Sequence, residues 1–391
     1  LLSNSNCKKQ YEINTAFSEI DTTFQIEDAS FPDISFNINS IQSFGNLNRL
    51  LSFIEKAEKG AMLKIGFIGG SITEGAIAGS FENRYSDQFC KMLDNSFLKS
   101  DFKQINAGIG YTDSRFACSR VKEDLLVQNP DLIIIDFSVN ENLYDSLYPM
   151  QAFEGLVRQC LQNEDVPVLL IHFTTSSWDT RNQTRLSLVA DYYSLPILSY
   201  QNAFKHLVDQ GKLSWNSFSH DDIHPNSVGH FMAAYILQNF ITSVYKNKET
   251  NYTQKCEIPF PFTTSLFENA GIFSDHINNP CKLLFNDGWK INVDQNLRFN
   301  LNTDSIGASF SIQSNTRELT IGYMRSQSFT SKVIVSVEGE IQDTLLGYSN
   351  ANDPYMQLYK VFEQENPTTK NISVKNITNE EFSIPFILFA K

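Results

Sequence analysis

Three residues suited to nucleophilic hydrolysis lie far apart in this chain. Ser71 follows two glycines in Lys64-Ile-Gly-Phe-Ile-Gly-Gly-Ser-Ile-Thr-Glu-Gly75. Ile65, Phe67 and Ile68 read as a short apolar strand, and Gly69-Gly70 lets the backbone turn sharply behind it without a Cβ penalty. A serine hydroxyl is a weak nucleophile until a base takes its proton. His224 is a candidate base, 153 positions downstream in Asp221-Asp222-Ile223-His224-Pro225, with Asp221 three residues earlier to orient the imidazole. Asp222 competes with Asp221 but sits next to the turn, where solvation is expected. Such a set performs acyl transfer once donors for the oxyanion are added.

The segments around these residues alternate strand and helix. Strands are expected at 64–68, 103–106, 132–137, 167–173 and 196–200. Helices are expected near 46–59, 83–97, 114–128, 150–163, 184–194, 202–209 and 227–245. Short apolar strands alternating with helices imply a parallel sheet covered on both faces, a flavodoxin-like three-layer α/β fold over residues 46–247. Ligands of such sheets bind at the carboxyl ends of the strands. Ser71, the turn Asn106-Ala-Gly-Ile-Gly-Tyr-Thr, Phe137-Ser-Val-Asn140-Glu141 and His224 all fall at that edge. From residue 256 to 391 no long helix is read. Period-two runs such as Ala308–Ile312, Leu319–Tyr323 and Val333–Val337, punctuated by Pro, Gly and Asn, predict an all-β sandwich of jelly-roll type. Residues 1–45 read as an extended segment with one or two strands.

Composition narrows the partners. A formal charge of -13 disfavours nucleic acid, which needs a basic face. Hydrophobic content of 41% with 19% charged residues fits a folded globular protein. No apolar run reaches the roughly 18 to 20 residues of a membrane span. The start at Leu1 rather than Met is read as a removed precursor segment. Asn182, Asn251, Asn371 and Asn376 each head a glycosylation sequon, favouring a secreted or lumenal glycoprotein. The six cysteines contain no CxxC pair, which disfavours a zinc knuckle. Cys256 with Cys281 is the most plausible local disulfide, and buried free thiols are the competing reading.

Four blocks in order, Gly-Gly-Ser-Ile-Thr, Ile-Asn-Ala-Gly-Ile-Gly, Phe-Ser-Val-Asn-Glu and Asp-Asp-Ile-His-Pro-Asn, resemble those of the SGNH (GDSL-type) esterase superfamily across residues 46–245. The resemblance implies hydrolysis of acyl esters without metal or cofactor. It assigns Ser71 as nucleophile, His224 as base and Asp221 as the orienting acid. The Ser71 backbone N–H and the Asn140 side chain become oxyanion donors. The block-two donor falls at Tyr111, or at Gly110 or Gly108 if the turn is shifted by one residue. Gly70 stands where the common family form has Asp. The Gly-Gly-Ser form is familiar in esterases acting on acetylated sugars, and the Tyr111 ring is expected to shorten the acyl pocket, so acetyl esters of carbohydrate are the expected substrates.

Other readings compete. His220, His224 and His230 with the two aspartates could ligate a metal, although their spacing is not a tight ligand spacing. Gly66-x-x-Gly69-Gly70 after a strand invites a dinucleotide reading but lacks the G-x-G-x-x-G fingerprint. A non-catalytic extracellular assembly protein on the same fold, self-associating through the N-terminal segment or the sandwich, and a lipid-directed hydrolase are the functional alternatives. His172 and His206 read as structural.

Overall fold

The computed structural model describes residues 39–141, 147–248, 257–293, 298–351 and 354–391, with the backbone of two short paired strands, β1 (Phe24–Ile26) and β2 (Ala29–Phe31). The rest of the N-terminal segment, Cys7, Asn251 and Cys256 lie outside the described residues. Two compact units result. One comprises residues up to 114 together with 124–263, the other residues 115–123 and 264–391.

The first unit is built on a six-stranded sheet. Its strands are β3 (Ile41–Ser43), β4 (Met62–Gly69), β5 (Asp101–Gly108), β6 (Leu132–Asp136), β7 (Val168–His172) and β8 (Ile197–Ser199), in the order β3-β8-β7-β6-β4-β5. β4 to β8 pair in parallel, as the α/β reading expects, while β3 runs antiparallel along β8. Every residue of β6 and β7 is buried, because helices cover both faces and leave no solvent side for polar residues. Phe67, Tyr85, Phe89, Phe173 and Tyr200 fill one face of this core. The helix Ser227–Lys246 is capped by Asn226, whose Oδ1 accepts the Gly229 N–H at 3.0 Å. The connection after this helix is fastened by Glu154, a buried carboxylate that accepts the Thr263 N–H at 2.7 Å.

The second unit is antiparallel, as its period-two runs predict. Long strands β13 (Ser309–Arg325) and β16 (Tyr355–Asn376) pair along most of their length, joined by β9 (Ala270–Ile272), β10 (Cys281–Asp287), β14 (Lys332–Val337), β15 (Glu340–Leu346) and β18 (Phe386–Ala390). β11 (Lys290–Val293), β12 (Phe299–Thr303) and β17 (Phe382–Ile384) form a smaller sheet. Trp289, Phe310, Tyr323 and Phe382 dominate its core, with Trp289 edge-on to Phe310 at 5.0 Å.

Two expectations are corrected here. Cys281 is a buried free thiol, and its expected partner Cys256 lies outside the described residues. Cys90, Cys118 and Cys160 are likewise buried thiols. Asn182 donates from its buried amide to the Glu141 carbonyl at 3.0 Å, and Asn376 is fully buried, so neither can accept a glycan in the folded protein. Asn371 is exposed. The helix expected at 114–128 ends at Asp124; a 3-10 turn and the left-handed Asn129 (φ 52°) follow.

Residues 115–123 contribute a buried ion pair to the second unit. Arg115 is ion-paired to Glu318, both almost completely buried, and its guanidinium lies 4.8 Å from the Phe267 ring centre. Phe116 stacks on Phe386 at 4.2 Å. Removing one partner of a buried pair strands the other charge away from water. Arg115→Met is therefore expected to destabilise this unit by about 3–5 kcal/mol. Denaturant unfolding followed by Trp289 fluorescence reads this, and Arg115→Met with Glu318→Leu should recover much of the loss. A single-variant loss below about 1 kcal/mol, the scale of an exposed pair, would contradict it.

Candidate active site

β4 delivers Ser71 to the first residue of a single helical turn, Ser71–Glu74, closed by Gly75 in the left-handed region at φ 107°. Ser71 Oγ lies 2.8 Å from His224 Nε2, and His224 Nδ1 lies 2.8 Å from Asp221 Oδ2. Residues spread over 153 positions are thus brought into one hydrogen-bonded chain. Burial works against ionisation of Asp221, but it is outweighed by hydrogen bonds from the His224 N–H and ring and the Ile223 N–H, which hold the carboxyl below its ordinary range. An ionised carboxylate only accepts, so Nδ1 carries the imidazole proton and Nε2 is left to accept from the serine.

The loop that carries Asp221 and His224 is fixed from several sides. Asp221 Oδ1 accepts the N–H groups of Ile223 at 2.8 Å and His224 at 2.6 Å. Trp215 Nε1 donates to the Asp221 carbonyl at 2.7 Å, and Ser219 Oγ to the His224 carbonyl at 2.6 Å. Trp215 is itself edge-on to Trp178 at 5.5 Å. Asp222 faces Ser176 instead, accepting from its hydroxyl at 2.8 Å.

Asn140 is brought against the nucleophile turn. A Cβ on Gly70 would lie 2.3 Å from Asn140 Nδ2, so the glycine there makes room for that amide; its φ of -89° requires no glycine. The block-two turn is pinned by Asn106, whose Nδ2 donates to the Thr73 carbonyl at 2.7 Å, and by the Ile109 N–H, which donates to the Gly69 carbonyl at 3.1 Å. The Gly110 N–H is already donated to Glu74 Oε2 at 2.9 Å. Tyr111 has φ 59° and is 68% exposed.

The candidate metal ligands do not converge. His230 is buried, its Nε2 3.2 Å from the Ala76 carbonyl, and burial lowers its pKa to about 4. His220 sits 3.2 Å from the Asn226 amide. Among the described residues no three of His, Cys, Asp and Glu form a group able to hold a metal ion. His172 is buried 2.9 Å from Ser187 Oγ, while His206 contacts Gln210 on the surface. A cavity of about 50 Å³ beside Arg49 and Val168 lies at the start of β7, at the opposite end of the strands from Ser71. Glu74 and Trp215 are site residues that the motif blocks do not single out. Their one available signal is proximity in sequence, Glu74 standing one helical turn after Ser71 and Trp215 six residues before Asp221.

The GDSL-like lipase/acylhydrolase family model matches residues 67–231, the span that holds all of these residues. This span is a GDSL-type hydrolase domain. It makes the chain a carboxylic ester hydrolase. Among solved structures, a two-domain esterase active on acetylated mannans matches with 25% identity and a TM-score of 0.82, covering 91% of this chain and 98% of that one. The same esterase co-crystallised with mannopentaose matches with 24% identity and a TM-score of 0.80, over the same shares of the two chains. An acetylxylan esterase from Geobacillus stearothermophilus is 21% identical, covers 46% of this chain and 95% of its own, and has a TM-score of 0.39. No curated protein sequence matches the chain.

Beneath the nucleophile turn of the hydrolase domain, Asp136 ends β6 opposite Gly69, fully buried. Burial raises its pKa to about 7, with hydrogen bonds from Ser138 opposing only part of the rise. An ordinary aspartate ionises near pH 4, so across about pH 4 to 7 the folded protein keeps a proton that the unfolded chain has released. Stability must then fall as pH rises through that window. Asp136→Asn is expected to flatten this fall when urea midpoints are measured from pH 4 to 7. Equal slopes in variant and parent would contradict the assignment.

Proposed function

We propose that the chain is a secreted serine esterase that removes acetyl groups from carbohydrate, with mannan-type polysaccharides as the first substrate class to test. The observation that carries this reading is the continuous Ser71–His224–Asp221 hydrogen-bond chain at the carboxyl edge of the sheet. Ser71 Oγ attacks the ester carbonyl as His224 Nε2 takes its proton. Asp221 holds the imidazole and stabilises its charged form. The Ser71 N–H and Asn140 Nδ2 donate to the tetrahedral oxyanion, with the Tyr111 N–H as the third donor. Collapse expels the sugar hydroxyl, which recovers the proton from His224. Water activated by the same histidine then releases acetate from the acyl-enzyme.

The acetyl-carbohydrate preference is supported by the esterase active on acetylated mannans, which this chain resembles across nearly its whole length. A polymeric substrate of this kind argues for a secreted or lumenal location. Among the described residues no helix is long and apolar enough to cross a membrane. The complete nucleophile, base and acid set speaks against a purely structural role.

Acetate release from acetylated mannan and xylan, with p-nitrophenyl acetate, butyrate and octanoate as comparators, tests the proposal. Acetyl esters are expected to be turned over fastest, and Ser71→Ala to lose about a thousandfold or more. Unchanged turnover by Ser71→Ala would overturn the triad. Preference for octanoate would move the reading to a lipid-directed hydrolase.

A further inference from the structure

Glu74 places a carboxylate beside the reacting serine that the mechanism above does not use. It ends the helical turn that Ser71 begins, and its side chain is exposed. Its Oε2 accepts the Gly110 N–H at 2.9 Å. A Cβ on Gly110 would lie 2.8 Å from that same oxygen and 3.6 Å from Ser71 Cβ. A fixed negative oxygen is therefore held on a backbone donor that borders the nucleophile. The backbone beneath it leaves no slack: a Cβ on Gly108 would lie 2.1 Å from the Glu74 N atom. The turn after β5 is held there by the bonds from Asn106 Nδ2 to the Thr73 carbonyl and from the Ile109 N–H to the Gly69 carbonyl, whereas the Glu74 side chain is exposed.

The oxyanion that forms on the carbonyl oxygen of an ester attacked by Ser71 is stabilised by N–H donors and opposed by a nearby carboxylate. A substrate that offers Glu74 no donor must react against that charge. A substrate carrying hydroxyls beside its ester can donate them to the carboxylate. Such a bond is charge-assisted, like the one from the Gly110 N–H, and it directs the carboxylate's charge away from the reacting carbonyl.

We propose that Glu74 is a specificity-determining residue that favours acetylated neutral sugars: hydroxyls flanking the ester donate to its exposed carboxylate and offset its opposition to the oxyanion. The inference rests on the serine-esterase reading of Ser71. It assigns the discrimination between a sugar ester and a bare ester to one side chain. Simple aryl acetates, which bring no hydroxyl, are processed with the carboxylate still in place. Esters flanked by a sugar carboxylate are repelled by it.

The test compares kcat and KM for p-nitrophenyl acetate and a methyl mannoside monoacetate in the full chain, Glu74→Ala and Glu74→Gln. The two substrates should move in opposite directions. Aryl acetate kcat/KM rises several-fold in Glu74→Ala, while sugar acetate kcat/KM falls about tenfold, mainly through KM, as expected for a lost hydrogen bond to a charged group. Glu74→Gln keeps the size of the side chain and gives the same signs if charge is the cause. Equal losses on both substrates in both variants would overturn the inference and leave Glu74 as a brace for the turn, and unchanged ratios would overturn it as well. Turnover of neither ester by the parent chain would remove the esterase reading first and this inference with it.

Discussion

The site depends on how closely backbone approaches backbone at the carboxyl ends of β4, β5 and β6. A side chain on Gly69 would begin 2.2 Å from Thr73 Oγ1 and 2.7 Å from the Asp136 carbonyl. One on Gly70 would meet the Asn140 amide, and one on Gly108 the Glu74 N atom. Protein interiors do not absorb such intrusions without moving whole segments. These three glycines therefore fix the spacing between the nucleophile turn, the Asn140 loop and the turn after β5. The Ser71–His224 hydrogen bond is a consequence of that spacing. It forms on strand ends that the β4–β5 and β4–β6 ladders hold at that spacing.

Polar groups next to this packed edge are each tied to a partner that limits their freedom. Asn106 holds the Thr73 carbonyl, Trp215 holds the Asp221 carbonyl, and Ser176 takes Asp222 out of competition for the imidazole. Burial pushes the Asp136 carboxyl beneath the turn up to about 7, against the hydrogen bonds it accepts. Asp221 is driven the other way, because backbone N–H groups and the imidazole favour its ionised form. Two aspartates thus differ in how readily they ionise, because burial dominates at one and hydrogen bonds at the other.

Much of this arrangement is legible in the sequence, for identifiable reasons. β4, β6 and β7 are runs of buried apolar residues ended by turn residues, so both their type and their ends stand out. Parallel topology then places Ser71, Asn140 and His224 at one edge without further information. β3 is not legible: Ile41-Gln-Ser43 has no periodicity of its own and is a strand only because β8 offers an unpaired edge. Glu74 does not stand out, because a hydrogen bond between two turns leaves no periodic mark. The fate of the sequons follows the same logic. Asn182 and Asn376 fit the motif, but burial is set by the tertiary fold and not by the tripeptide.

The central claim is that Ser71 is the activated nucleophile of the hydrogen-bonded chain through His224 to Asp221. Its most direct measurement is peptide mapping by mass spectrometry after exposure to diethyl p-nitrophenyl phosphate, which transfers a diethylphosphoryl group to an activated serine as p-nitrophenolate leaves. The account predicts a single stoichiometric adduct on Ser71 that is absent in His224→Ala. An adduct on another residue, or none while esterase activity persists, would contradict it.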